Sequence, residues 1–136
     1  MLIWGVLLSG TAVAAGAIGS HLLESRFEQT DPENAAKRLD NWRTAFRYQT
    51  YHGLALLAVG GLAEYRNRRL VHAAAIFFVA GGILFSGMLA LYSLTQIKLL
   101  VAIVPVGGLS FLVGWTLLLA AVASQPAAAA QPVRKP

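Results

Sequence analysis

Cysteine is absent from the 136 residues, which excludes disulfides, thiolate metal sites and cysteine nucleophiles. Charge is scarce too: 12% of the residues are charged, against 57% hydrophobic. Only six residues are acidic, and all of them fall outside the long apolar stretches. No carboxylate is therefore placed for a proton relay or ion path in a membrane interior. HExxH spacing and a serine elbow are also missing, which removes the motif-based routes to zinc-dependent and serine hydrolysis. The chemistry that remains is that of His, Tyr, Gln and hydroxyl groups.

What the chain has is apolar length. Residues 2–20, 48–63, 70–97 and 99–123 contain no Asp, Glu, Lys or Arg. A bilayer core about 30 Å thick needs about 20 mostly apolar residues at a rise of about 1.5 Å each. Three stretches meet that length. The second is shorter, but Phe46 and Arg47 before it and Tyr65 and Arg66 after it extend the usable span, because aromatic rings and snorkelling arginines sit at headgroup level. Four spans are expected, at about 2–22, 46–63, 70–92 and 99–123. Four apolar helices in a soluble fold would need a polar shell, and this composition has none to offer. The first stretch lacks a basic n-region and outruns a signal-peptide core, so it reads as a retained helix. Residues 124–136, with three prolines and an alanine run, read as a flexible tail.

The net charge of +5 does not point to nucleic acid, because the basic residues sit in short segments flanking the spans. Short connections at 64–69 and 93–98 force neighbouring spans to run in opposite directions. The expected fold class is thus all-α membrane: an up-down-up-down bundle of four transmembrane helices, residues 1–123, with both termini on one side. Arg66, Arg68, Arg69, Arg134 and Lys135 lie on that side, and Arg26, Lys37, Arg38, Arg43, Arg47 and Lys98 on the other. Three arginines concentrated in one six-residue turn favour cytoplasmic termini.

Between the first two spans, residues 32–46 form an amphipathic helical segment. Asp31 suits an N-cap, Pro32 the first helical position and Glu33 the first turn. Ala35, Leu39, Trp42 and Phe46 then recur on one face, with Lys37, Arg38, Asp40, Arg43 and Arg47 opposite. Trp42, Arg43 and Arg47 read as an interface belt, in a segment that lies along the membrane surface or slopes into the second span.

Small residues at spacing four, such as Gly5 with Ser9, Gly10 with Ala14, Gly16 with Ser20, Gly82 with Ser86 and Ser110 with Gly114, mark close helix contacts. Pro105, followed by Gly107 and Gly108, predicts a kink in the fourth span. The topology gathers His21, Gln49 and His52 at one end of the bundle, beneath the amphipathic segment, with Ser86 and Pro105 deeper on the same side. Two readings of that polar site stand side by side: hydrogen-bonded residues that order the bundle, and a pocket for a small molecule, lipid or ion. A haem or metal held by the two histidines is a third use, but no assisting ligand pattern supports it, and no cofactor is expected.

The segments Gly16-Ala17-Ile18-Gly19-Ser20-His21, Arg47-Tyr48-Gln49-Thr50-Tyr51-His52-Gly53, Leu84-Phe85-Ser86-Gly87 and Val104-Pro105-Val106-Gly107-Gly108, with Trp42 and Gly114-Trp115, resemble the signature of the YgdD-like small membrane proteins. This family is also known as domain of unknown function 423 and has an animal transmembrane relative. The resemblance covers roughly residues 1 to 120. It implies four membrane helices in a bacterial inner membrane and emphasises His21, Gln49, His52, Ser86 and Pro105. It implies no reaction, substrate or cofactor. The sequence therefore supports a non-enzymatic accessory or structural component of a membrane assembly, with the lipid bilayer and a membrane-protein partner or second copy as its contacts. A carrier using a pocket around His21 and His52 is the alternative.

Overall fold

The computed structural model describes residues 1–63 and 66–124, apart from the side chain of Ser20. Glu64, Tyr65 and all but the first residue of the expected tail, Arg134 and Lys135 included, lie outside the described residues. Every regular element is helical: α1 (Leu2–Ile18), α2 (Glu24–Thr30), α3 (Ala35–Leu62), α4 (Arg68–Gly81), α5 (Met88–Thr95) and α6 (Lys98–Ala123). Two π-helical segments, Gly19–Leu23 and Gly82–Gly87, splice α1 to α2 and α4 to α5. The chain is thereby organised as four long rods.

The π segments follow from the spacing of the buried residues. A four-residue step in an α-helix overshoots a full turn by about 40°, so a stripe at strict spacing four drifts off its face. Ala15, Gly19, Leu23 and Phe27 are nevertheless all buried, as are Phe78, Gly82, Ser86 and Ala90. The wider π turn absorbs the extra residue and keeps each stripe on the core.

Three rods are long and apolar enough to cross a membrane: Leu2–Thr30, Arg68–Thr95 and Lys98–Ala123. α3 is just as long at 28 residues, but its first half carries the charged face of the amphipathic segment. The expected boundary at residue 46 is not a break. Residues 35–46 and the span that follows share one helix, because no proline interrupts 35–62.

Two local expectations are corrected. The first rod does not end near residue 22, because residues 24–30 are helical and continue it. Asp31 ends that rod rather than capping the next, with φ −157° and ψ 65°, since the proline after it disfavours helical backbone. Its carbonyl accepts from the Asn34 N–H, and Asn34 occupies the cap position of α3.

The rods pair by close contact at small residues. On α1, Leu2 faces Gly60, Gly5 faces Leu57 and Ser9 faces Gly53, so numbers rise on one helix as they fall on the other. On the second pair, Gly81 meets Phe111, Gly114 meets Phe78 and Ser110 Oγ donates to the Phe77 carbonyl at 2.8 Å. Gly10 behaves differently: a Cβ there would meet nothing within 4 Å, and the same holds at Gly16. Those two small positions face away from the helix contacts. Pro105 does not interrupt α6, which remains helical across it.

Candidate functional site

His52 sits on α3 with both ring nitrogens engaged. Its Nδ1 lies 2.8 Å from the Tyr48 carbonyl, and a carbonyl can only accept, so Nδ1 carries the proton. Nε2 is then free to accept, and the Trp115 indole N–H donates to it at 3.1 Å. Phe111 stacks on the imidazole at 3.5 Å between centroids with 8° between planes. Phe78 and Tyr48 complete the surround. These aromatics arrive from three rods, and they fix the neutral tautomer that uses both nitrogens. No lone pair is left for a metal. Beside this cluster runs an open groove of about 400 Å³ walled by Tyr48, Tyr51, Phe85, Phe111, Leu112 and Trp115.

The His52–Trp115 bond should be measurable by a double-mutant cycle. Trp115→Phe and His52→Ala are each expected to lower thermal stability in detergent, with a coupling of about 0.6 to 1.7 kcal/mol, the range for hydrogen bonds between membrane helices. Additive effects would show the bond to be inert.

Gln49 lies one turn away and is buried between α1 and α3. Its Nε2 donates to the Leu8 carbonyl at 2.9 Å and to Thr11 Oγ1 at 2.8 Å. Thr11 in turn donates to the Leu7 carbonyl. Ser86 is wholly buried inside the second π segment, and its hydroxyl, like that of Ser9, has no hydrogen-bond partner among the described residues.

The other expected members do not join these two. His21 is exposed on the first rod. Ser9 meets α3 at Gly53, so His21 stands twelve residues further along, about 18 Å from the level of His52. The expected gathering of His21 with Gln49 and His52 at one rim is therefore corrected: π-helical continuation carries the first rod past its apolar stretch. Pro105 is also exposed on α6 and is not part of the groove lining. Trp42 does not belong to an interface belt either. It is buried, and its indole N–H donates to the Ala15 carbonyl at 2.8 Å. Arg43 and Arg47 are exposed.

Sequence reasoning missed a further cluster, at the end where α2, α3 and α5 meet. Arg38 Nε donates to the Ser93 carbonyl at 3.0 Å, and Nη2 to the Leu94 carbonyl at 3.0 Å. These carbonyls belong to the last turn of α5, where helix acceptors lack intrahelical partners and the dipole favours a cation. Nη1 pairs with Asp31 at 3.2 Å, and the guanidinium lies over the Phe27 ring at 4.1 Å. Ser93 Oγ donates back to the Arg38 carbonyl. The hydrogen bond from Asn34 is the main cause that holds the Asp31 carboxyl below its ordinary value; desolvation opposes it, and hydrogen bonding and charge from Arg38 add to the lowering. The only sequence signal was a cation three residues after Ala35 and seven after Asp31, on what reads as a solvated face.

Fold and sites together define an all-helical, multi-pass membrane protein whose buried Gln49 and His52 are tied by hydrogen bonds to neighbouring helices. The family described as "Protein of unknown function (DUF423)" matches residues 15–108, and the chain belongs to it. A UPF0382 membrane protein of Staphylococcus saprophyticus is 39% identical over 117 residues, covering 86% of this chain and 91% of the relative. The UPF0382 membrane protein YwdK of Bacillus subtilis is 36% identical over 121 residues, with 88% and 93% covered. The UPF0382 inner membrane protein YgdD of Escherichia coli K12 is 35% identical over 122 residues, with 88% and 86% covered. No solved structure matches the chain. The kinship read from the sequence motifs holds, as does placement in the inner membrane.

Proposed function

We propose that this chain is a four-span bundle with its spans running alternately up and down, serving as a non-enzymatic accessory or structural component of a membrane assembly. One observation carries the reading: the buried polar side chains Trp42, Gln49 and His52 are bonded between rods, while the outward faces of α1 and α6 carry large apolar side chains. Leu2, Ile3, Val6 and Val13 on α1, and Val106, Leu109, Leu112 and Leu119 on α6, are exposed. Such faces suit lipid and other membrane helices.

The fourth span is the second half of α3. Residues 48–62 carry no Asp, Glu, Lys or Arg, and they pack along α1 as far as Leu2. A partner that crosses the bilayer takes α3 across with it. Met1 and Ser124 then share one side, and the arginines at 66, 68 and 69 favour the cytoplasm for that side. The alternative, a carrier for a small molecule, lipid or ion around His21 and His52, has less support, because the two histidines stand about 18 Å apart along the rods.

Crosslinking in intact membranes, followed by native purification, tests the accessory role. A single crosslinked product of fixed stoichiometry, either a defined partner or a second copy, is expected. A strictly monomeric protein with no such product contradicts it.

A further inference from the structure

We propose that the groove between α1 and α3 beside Arg43 and Arg47 binds an anionic glycerophospholipid. The proposal rests on placement in the membrane and is independent of the accessory role. The groove has a volume of about 280 Å³ and is lined by Ala12 and Gly16 of α1 and by Trp42, Arg43, Phe46 and Arg47 of α3.

Arg47 is the residue that demands an explanation. It is exposed, and it makes no hydrogen bond or ion pair with any described residue. On α3 it lies between Trp42, which bonds to Ala15, and Gln49, which bonds to Leu8 and Thr11. Arg47 therefore stands level with the uncharged part of α1 near Ala12, about 13 Å along the rod from His21. An arginine at that depth is costly unless it snorkels outward or meets an anion. Among the described residues no carboxylate pairs with Arg47, and Glu24 is already 3.7 Å from Arg43.

A lipid phosphate answers the deficit. Arg43 and Arg47 are four apart and share one helix face, and the guanidinium fork matches phosphate oxygens in geometry and charge. Below them the floor is Ala12, Gly16 and Phe46, with Thr50 beside it, whose hydroxyl is turned back onto the Phe46 carbonyl. A Cβ on Gly16 would enter open space, which leaves room for glycerol and the first carbons of an acyl chain. Trp42 is held by its bond to Ala15, so one wall is already in place. Two arginines against one half-exposed carboxylate also select against a headgroup ammonium, so a net-negative lipid is preferred over a zwitterionic one.

The test uses the full chain in detergent with added phosphatidylglycerol, phosphatidylcholine or inorganic phosphate, and reads bound lipid by native mass spectrometry together with the melting temperature. Phosphatidylglycerol is expected to be retained at one site and to raise the melting temperature more than phosphatidylcholine does. Arg43→Gln with Arg47→Gln should weaken phosphatidylglycerol retention at least tenfold and leave phosphatidylcholine unaffected. Gly16→Leu, which fills the floor but keeps both arginines, should weaken it as well. Equal retention of the two lipids, unchanged retention in the double variant, unchanged retention in Gly16→Leu, or a full thermal shift with inorganic phosphate alone would each overturn the proposal.

Discussion

Gly107→Ala should destabilise the bundle by about 3 kcal/mol or more, at the upper end of the cost of overpacking. A Cβ there would fall against the Phe85 backbone nitrogen and lie 2.6 Å from the Leu84 carbonyl carbon. Both contacts are main chain, inside the second π segment, so no side-chain rotation relieves them. α6 would have to move away from Gly82–Gly87 and loosen the nearby tilted contact of Phe85 with Phe111. Gly108→Ala is the control, because its Cβ would meet only the Phe85 ring at 3.8 Å. Gly10→Ala is a second control, in open space. Both should stay within about 0.5 kcal/mol of the parent. Unfolding of the three variants in detergent checks the series, and equal stability of Gly107→Ala and Gly108→Ala would show that the close approach is not a constraint.

Arg38→Gln is the second large effect. The side chain is 12% exposed and anchors the last turn of α5, the Asp31 turn and the Phe27 ring at once. Removing it leaves the Ser93 and Leu94 carbonyls at the helix end short of a donor, at a cost of about 2 kcal/mol, while the more exposed Asp31 carboxylate adds little. Arg38→Lys should recover less than half, since a single ammonium cannot span two carbonyls and a carboxylate as the guanidinium does. Asp31→Asn should cost much less than Arg38→Gln, because the helix-end carbonyls keep their donor. Melting temperature, together with amide exchange at residues 94–97, reads the effect. Full recovery by lysine would reduce Arg38 to a point charge.

The two residues show how far the sequence could be read. Gly107 read only as part of a kink at Pro105, and its contact with Phe85 was invisible: Phe85 is brought there by a π turn, and only the spacing-four run Phe78, Gly82, Ser86, Ala90 hinted at that turn. Arg38 read as one charge among several on a solvated face, and only the third rod, which ends above it, gives it a buried role. Gln49 and His52 were recognisable as polar residues on an apolar helix. Their partners, Thr11 on α1 and Phe111 and Trp115 on α6, depend on which rods pair, and local pattern does not encode that. His21 was misplaced for the complementary reason. The first apolar stretch ends there, but the helix does not, because π-helical geometry carries it on to Thr30.

The central claim is that all four rods cross the bilayer, α3 included, and the lack of native cysteine makes a direct test clean. Single reporters Glu33→Cys, Asn67→Cys and Lys98→Cys are placed at exposed connection positions and labelled with a membrane-impermeant maleimide in sealed, oriented vesicles. The account predicts that Glu33→Cys and Lys98→Cys label from one side and Asn67→Cys only from the other. Labelling of Glu33→Cys and Asn67→Cys from the same side would mean that α3 does not cross, and would contradict the account.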